Sequence, residues 1–306
     1  MSTTSYWPPR SIVFLLPVFL SISIAGDAGD ASISNYHAQS AEIRVTFFTT
    51  DQNDHLVDRV TEDDFAIVDG DSVIRKFRSF ARSDETGLDV IAVVDSSESV
   101  SPHIEDVKKA VLQMVSEESL VSEDNIAVVA FSGKEPMLLC AHSCNSSPAK
   151  QRLRSLKADG PTPLFDALRY AASSFATHHS PNARQIVVLL SDGHDTISKS
   201  SAEDALTSIL ASGALLYVVD INDGRDPQGQ TTLQRMAETT GGRFFPMREG
   251  AAGALQSALA DLRASFTVCY RLPNRVAGFH SLRILPKHNL NLHFHSRRGY
   301  LYEEAR

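Results

Sequence analysis

Two kinds of hydrophobic pattern alternate along the chain and divide it into three parts. In the middle, Val90-Ile91-Ala92-Val93-Val94, Ile126-Ala127-Val128-Val129-Ala130-Phe131, Ile186-Val187-Val188-Leu189-Leu190 and Leu215-Leu216-Tyr217-Val218-Val219 are unbroken apolar runs rich in β-branched residues. A strand buried on both faces has this signature, and it is typical of parallel sheets. Between the runs the apolar residues recur at helical spacing. Ile104, Val107, Val111, Leu112 and Val115 predict a helix over 102–118, with Ser101 as its cap and Pro102 in its first turn. Further helices are predicted over 148–156, 164–177, 202–211, 233–239 (stopped by Gly241-Gly242) and 251–264. Residues 135–141 are placed as a hairpin partner of 125–131, and 243–246 as an edge strand marked by Pro246. Strands alternating with helices imply βαβ units, hence a doubly wound, mostly parallel sheet with helices on both faces.

On either side the period changes from 3.6 to 2. Residues 42–48 alternate, and Phe65-Ala66-Ile67-Val68 is followed by Asp69-Gly70-Asp71 and a second run over 72–77, which reads as a hairpin. After the last helix, 266–272, 280–285 and 290–295 again look like strands. Neither flank is large enough for a core of its own. The two are therefore expected to pair, as a small β-sandwich into which the α/β domain is inserted. The expected layout is a leader over 1–25, a polar linker over 26–39, an N-terminal β segment over 40–86, the α/β domain over 87–265 and a C-terminal β segment over 266–306.

The leader is predicted from Arg10 followed by the apolar run 11–20 and the small residues around Ala25, the layout of a cleaved export signal. The run holds Pro17 and falls short of the ~20 residues of a membrane span, so no stable span is expected after cleavage. Of 306 residues, 42% are hydrophobic and 22% charged, ample for a large core. A net charge of −8 without a dense basic run argues against a nucleic-acid partner. The chain has three cysteines. Cys140 and Cys144 are read as a disulfide or as free thiols ahead of a zinc site with His142, and Cys269 as a buried strand residue.

Candidate chemistry collects where the buried runs end. The first stops at Asp95, and Asp95-Ser96-Ser97-Glu98-Ser99 puts the oxygens of Asp95, Ser97 and Ser99 on the loop leaving its carboxyl end. In open α/β sheets ligands bind at that rim. Gly160-Pro161-Thr162-Pro163-Leu164 presents Thr162 just before a helix, and Ser191-Asp192-Gly193 puts Asp192 at the end of another buried run. Oxygen donors without Cys or His suit a hard divalent cation, Mg²⁺ or Ca²⁺.

These stretches, in this order, resemble the metal-ion-dependent adhesion site of von Willebrand factor type A domains, and the resemblance covers about 88–264. It implies that Ser97, Ser99 and Thr162 offer oxygens directly to Mg²⁺ or Mn²⁺, that Asp95 and Asp192 act mostly through water, and that an Asp or Glu of a protein partner completes the coordination. Members usually carry Gly between the two serines, where this chain has Glu98. That carboxylate either fills the open position, strengthens cation binding or points to solvent. Looser matches at 61–70, 77–80 and 297–300 resemble a family of exported von Willebrand A-related proteins described from acidobacteria.

The functional expectation is an exported adhesion or interaction module, not an enzyme. The alternatives are a metal-assisted hydrolase and a structural module with a vestigial site. A Ser97–His194–Asp195 triad lacks the G-x-S-x-G elbow. Asp220, Asn222 and Asp223 are read as a solvated loop ahead of a second cation site, and His293 and His295 as surface histidines ahead of a metal pair.

Overall fold

The computed structural model describes residues 42–82, 87–116, 125–141, 144–175, 183–222, 226–247 and 250–302. The predicted leader and linker lie outside them. The central runs form strands β5 (Leu88–Asp95), β6 (Asn125–Phe131), β8 (Arg184–Ser191) and β9 (Leu215–Asp220). With β7 (Met137–Cys140) and β10 (Phe244–Pro246) they make a six-stranded sheet in the order β10-β9-β8-β5-β6-β7. Every pairing is parallel except that of β7 with β6. The helices are α1 (Ile104–Met114), α2 (Ser147–Ser155), α3 (Leu164–Ser174), α4 (Ala202–Ser212), α5 (Pro227–Thr240) and α6 (Gly250–Arg263).

The unbroken runs are explained by two cores. Val90, Ala92 and Val94 pack with Val107, Val111, Leu153, Ala258 and Leu262 of α1, α2 and α6. Their neighbours Ile91 and Val93 face the other way, onto Leu164, Leu168, Ile209, Leu233 and Met236 of α3, α4 and α5. Successive strand side chains point to opposite faces, so a sheet covered on both sides needs apolar residues at every position. Burying each such Val or Leu is worth roughly 1.5–3 kcal/mol.

Helix starts depart from expectation in two places. Ser101 does not cap α1: Glu98–His103 forms a 3₁₀ turn with Pro102 inside it, and α1 begins only at Ile104. Proline suits the tight turn, and His103 takes the cap position without a side-chain capping bond. Helix α5 begins well before residue 233, at Pro227, capped by Asp226 through the amides of Gln228 and Gly229. Its first turns are polar, so hydrophobic period alone could not find them.

The flanks build two antiparallel sheets. One has the order β13-β1-β11-β4, from β1 (Glu42–Thr50), β4 (Ser79–Arg82), β11 (Phe266–Arg271) and β13 (His293–Ser296). The other has the order β14-β12-β2-β3, from β2 (Phe65–Asp69), β3 (Ser72–Ile74), β12 (Gly278–Pro286) and β14 (Gly299–Tyr302). The Asp69–Ser72 hairpin turns as predicted, with Gly70 at φ +53° supplying the left-handed conformation. Each sheet interleaves strands from both sides of the α/β layer, because β1 pairs with β11 and β2 with β12. Their shared core is aromatic, with Phe47 against Phe65 at 5.1 Å and Phe266 at 5.5 Å. Strands β4 and β14 had no sequence signal; each is four residues long and is recognised only by its partner, β11 or β12.

The α/β layer and the β layer meet at Gly241-Gly242. A Cβ on Gly241 would lie 2.4 Å from the Arg297 nitrogen, and one on Gly242 2.0 Å from the Leu216 carbonyl oxygen. Cys140 and Cys144 are joined by a disulfide, and Cys269 is a buried free thiol. Among the described residues no helix is long and apolar enough to cross a membrane.

Candidate metal centre

Strand β5 carries Asp95 to the carboxyl rim of the sheet between β6 and β8. The carboxylate is fully buried. Its Oδ1 accepts from the Ser97 amide at 3.0 Å and its Oδ2 from the Ser191 hydroxyl at 2.6 Å. Ser191 ends β8, one residue before Asp192, and its Oγ also accepts from the Gly193 amide at 3.1 Å. Ser191 therefore ties the loop that bears Asp192 to Asp95. Its place in Ser191-Asp192-Gly193 was visible in the sequence, but its role depends on β8 lying beside β5.

Backbone bonds stitch the other loops to this one. Ser96 O accepts from Asp159 N at 2.9 Å, and Glu98 N donates to Gly160 O at 2.9 Å. Thr162, two residues further on, is thus held beside the serine loop. Its carbonyl accepts from Thr196 N at 2.9 Å, and its amide donates to Thr196 Oγ1 at 2.7 Å, which ties it to the loop after β8. Ser97 and Thr162 are buried, Ser99 and Asp192 are half-buried, and Glu98 is exposed. The structure thus brings the loops of all five predicted residues to one rim and leaves Glu98 on the solvent side.

Burial dominates the electrostatics of the site. It pushes the Asp95 carboxyl up to about 7 against the lowering effect of Ser191 and Ser97, and the nearby Asp192 adds to the rise. Asp220, at the end of β9, is raised to about 6 by the same cause, again with Asp192 contributing. Carboxylates gathered in a poorly solvated rim favour a positive charge beside them.

The donor set fits a small hard cation. Ser97 Oγ and Ser99 Oγ lie 3.0 Å apart. Neighbouring ligands of an octahedral Mg²⁺ at its ~2.1 Å bond length are about 2.9–3.0 Å apart. No group of three or more His, Cys, Asp or Glu side chains suited to a metal occurs among the described residues.

The other candidates have structural employment. Asp195 Oδ1 accepts from Leu164 N at 2.9 Å, and Ser198 Oγ accepts from Phe165 N at 3.0 Å and Asp166 N at 3.2 Å. Pro163 precedes α3 and has no side-chain donor or acceptor to cap it, so Asp195 and Ser198 do so from another loop. Asp195 is then no orienting acid for His194, which is exposed. Asp220 accepts from Gln230 Nε2 at 2.6 Å and from Asn222 N at 3.0 Å, while Asp223 lies outside the described residues. His295 is no surface histidine: its ring stacks on Phe48 at 4.5 Å and bonds Thr50 Oγ1 at 2.9 Å, while His293 is exposed.

Beside the rim lies a cleft of about 730 Å³, bordered by Ser99, His103, Phe165, Asp192, Asn222 and Gln228. Of the five predicted site residues, Ser99 and Asp192 border it.

The von Willebrand factor type A domain family matches residues 89–260, more than half of the chain. The magnesium-chelatase 67 kDa subunit of Chlorobaculum tepidum is 28% identical over 193 residues, covering 57% of this chain and 30% of that protein. The magnesium-chelatase 60 kDa subunit of Cereibacter sphaeroides is 25% identical over 178 residues, covering 56% and 31%. The chain thus spans about a third of the length of these curated relatives. Among solved structures, a von Willebrand factor type A protein from Catenulispora acidiphila has a TM-score of 0.48 at 13% identity, covering 80% of this chain and 76% of that one. The vWF domain of the type V pili tip protein Mfa5 from Porphyromonas gingivalis has a TM-score of 0.46 at 13% identity, covering 57% and 95%.

Proposed function

Because the chain belongs to the von Willebrand factor type A domain family, we propose that its carboxyl rim is a divalent-cation-dependent site for binding another protein. Ser97, Ser99 and Thr162 would hold Mg²⁺, Mn²⁺ or Ca²⁺ directly, and Asp95 and Asp192 would do so mostly through water. The cation supplies an electrophilic point for an Asp or Glu of the partner. Neutral hydroxyls leave most of its charge uncompensated, which favours an incoming carboxylate. The observation that carries this reading is the stitched triple loop, with the Ser97 and Ser99 hydroxyls hydrogen-bonded at 3.0 Å.

A binding role is preferred to a Ser97–His194–Asp195 hydrolase because Asp195 does not orient His194. Asp195 caps α3, and the Ser97 hydroxyl faces Ser99. The magnesium-chelatase subunits share only about a third of their length with this chain, so their activity is not carried over. Export belongs to the same reading: the leader-like residues 1–25 and the Cys140–Cys144 disulfide both suit an oxidising compartment.

The test is the melting temperature in EDTA, Mg²⁺, Mn²⁺ and Ca²⁺ for wild type and Asp95→Ala. A cation at about 100 times its Kd stabilises by ~2.7 kcal/mol, a rise on the order of 5–10 °C for a domain of this size. The rise is expected in wild type and absent in the variant. No rise with any cation, or an equal rise in Asp95→Ala, would overturn the site. An Asp- or Glu-bearing partner is then sought by cation-dependent capture that EDTA reverses.

A further inference from the structure

The loop that carries Asp192 rests on the first turn of α5 through two bare backbones. A Cβ on Gly229 would lie 2.5 Å from the Gly193 carbonyl oxygen, 2.9 Å from the Gly193 carbonyl carbon and 2.7 Å from Asp226 Oδ2. Real side chains do not approach a backbone so closely, so the contact exists only because residue 229 is glycine. We infer that Gly229 is a positioning residue for the cation site, setting Asp192 and, through Ser191, Asp95 by its contact with Gly193. The inference rests on the cation reading above and extends it to a helix that contributes no ligand.

The direction of the effect follows from which partner is better anchored. The turn around Gly229 is held by Asp226 Oδ1, which accepts from Gln228 N at 3.1 Å and Gly229 N at 2.9 Å. Asn222 Nδ2 donates to Asp226 O at 3.0 Å, and Gln230 Nε2 donates to Asp220 Oδ2 at 2.6 Å, fastening the helix start to the end of β9. Opposite it, Gly193 sits at φ +82° in a short turn. That turn is held by bonds that involve the site itself: His194 N to Asp192 Oδ1 at 3.1 Å and Gly193 N to Ser191 Oγ at 3.1 Å. A methyl group on Gly229 meets the Asp226 side chain, whose far end can turn, and the Gly193 backbone, so the 193–194 peptide has to shift. The push passes to the Asp192 carboxylate and to the Ser191 hydroxyl that donates to Asp95.

The experiment compares wild type, Gly229→Ala and Thr231→Ala, an exposed position on the same turn. Cation dissociation constants are measured by calorimetry at 25 °C, with circular dichroism, melting temperature in EDTA and amide NMR shifts of residues 191–194. Gly229→Ala is expected to weaken cation binding about tenfold or more, as loss of an outer positioning contact does. Thr231→Ala should match wild type, and both variants should keep the wild-type circular dichroism. The Gly193 and His194 amides should shift in Gly229→Ala even in EDTA. Cation affinity equal to wild type in Gly229→Ala overturns the inference and leaves the cation site standing. If wild type itself binds no cation, the cation reading falls, and unmoved 193–194 amides in Gly229→Ala would overturn the positioning claim as well.

Discussion

Asp95 shows how far one residue's neighbours can alter its chemistry. In sequence it is an acid at the end of an apolar run, but in the fold it is fully buried and its oxygens are engaged by Ser97 and Ser191. A hydrogen bond to a charged group is worth roughly 1.5–3 kcal/mol. Ser191→Ala is therefore expected to lower stability by about 2 kcal/mol in EDTA at pH 8, read from denaturant unfolding, and to weaken cation binding about tenfold. Unchanged values on both counts would mean that Ser191 is only a strand end. Glu98 is the residue at which the sequence departs from the family pattern, and its side chain is exposed.

At the scale of elements, the site is made by helix starts as much as by strand ends. Helix α3 has Pro163 where a capping side chain would sit, and it borrows Asp195 and Ser198 from the loop after β8. The same loop holds Thr162 through Thr196, so one segment both caps α3 and fixes a proposed cation donor. Asp195→Ala should cost about 1 kcal/mol, the usual value of a lost cap, and also reduce cation affinity because Thr162 loosens. Helix α4 has an ordinary capping box of Ser201 and Asp204. Ser201→Ala should cost a similar ~1 kcal/mol and leave cation affinity alone. Equal cation affinities in the two variants would separate the α3 cap from the site.

For the whole molecule, the two β flanks and the α/β layer share strand partners and one junction. Because β1 pairs with β11 and β2 with β12, removing residues 266–306 should unfold the N-terminal strands too. Loss of amide protection across 42–82 by hydrogen exchange would show it, and retained protection would mean that the N-terminal segment folds alone. The junction should also respond to pH. His295 lies half-buried on Phe48, faced by Arg243 before β10, Asp54 after β1, His293 on β13 and Glu238 on α5. Burial, then Arg243, holds its imidazole below the ordinary 6.5. The unfolded chain therefore takes up this proton first as pH falls, so stability is full above about 6.5 and declines as pH drops from there through the lower folded value. In His295→Phe the melting temperature should fall less between pH 7 and 5 than in wild type. Identical slopes would place the acid sensitivity elsewhere.

The doubly wound layer was legible from residue order, because a sheet buried on both faces requires continuous apolar strands, and β5, β6, β8 and β9 have them. Residue order also exposed the five candidate donors, because oxygen side chains directly after such runs stand out against an apolar background. Tertiary structure alone decided the rest. The 3₁₀ turn at Glu98–His103 displaced the expected Ser101 cap, and β4 and β14 exist only against their partners. Ser191, Thr196 and Gly229 act through neighbours 34 or more residues away along the chain. Local pattern reports what a residue prefers, whereas a hydrogen bond between loops or a missing Cβ has meaning only once distant strands lie side by side.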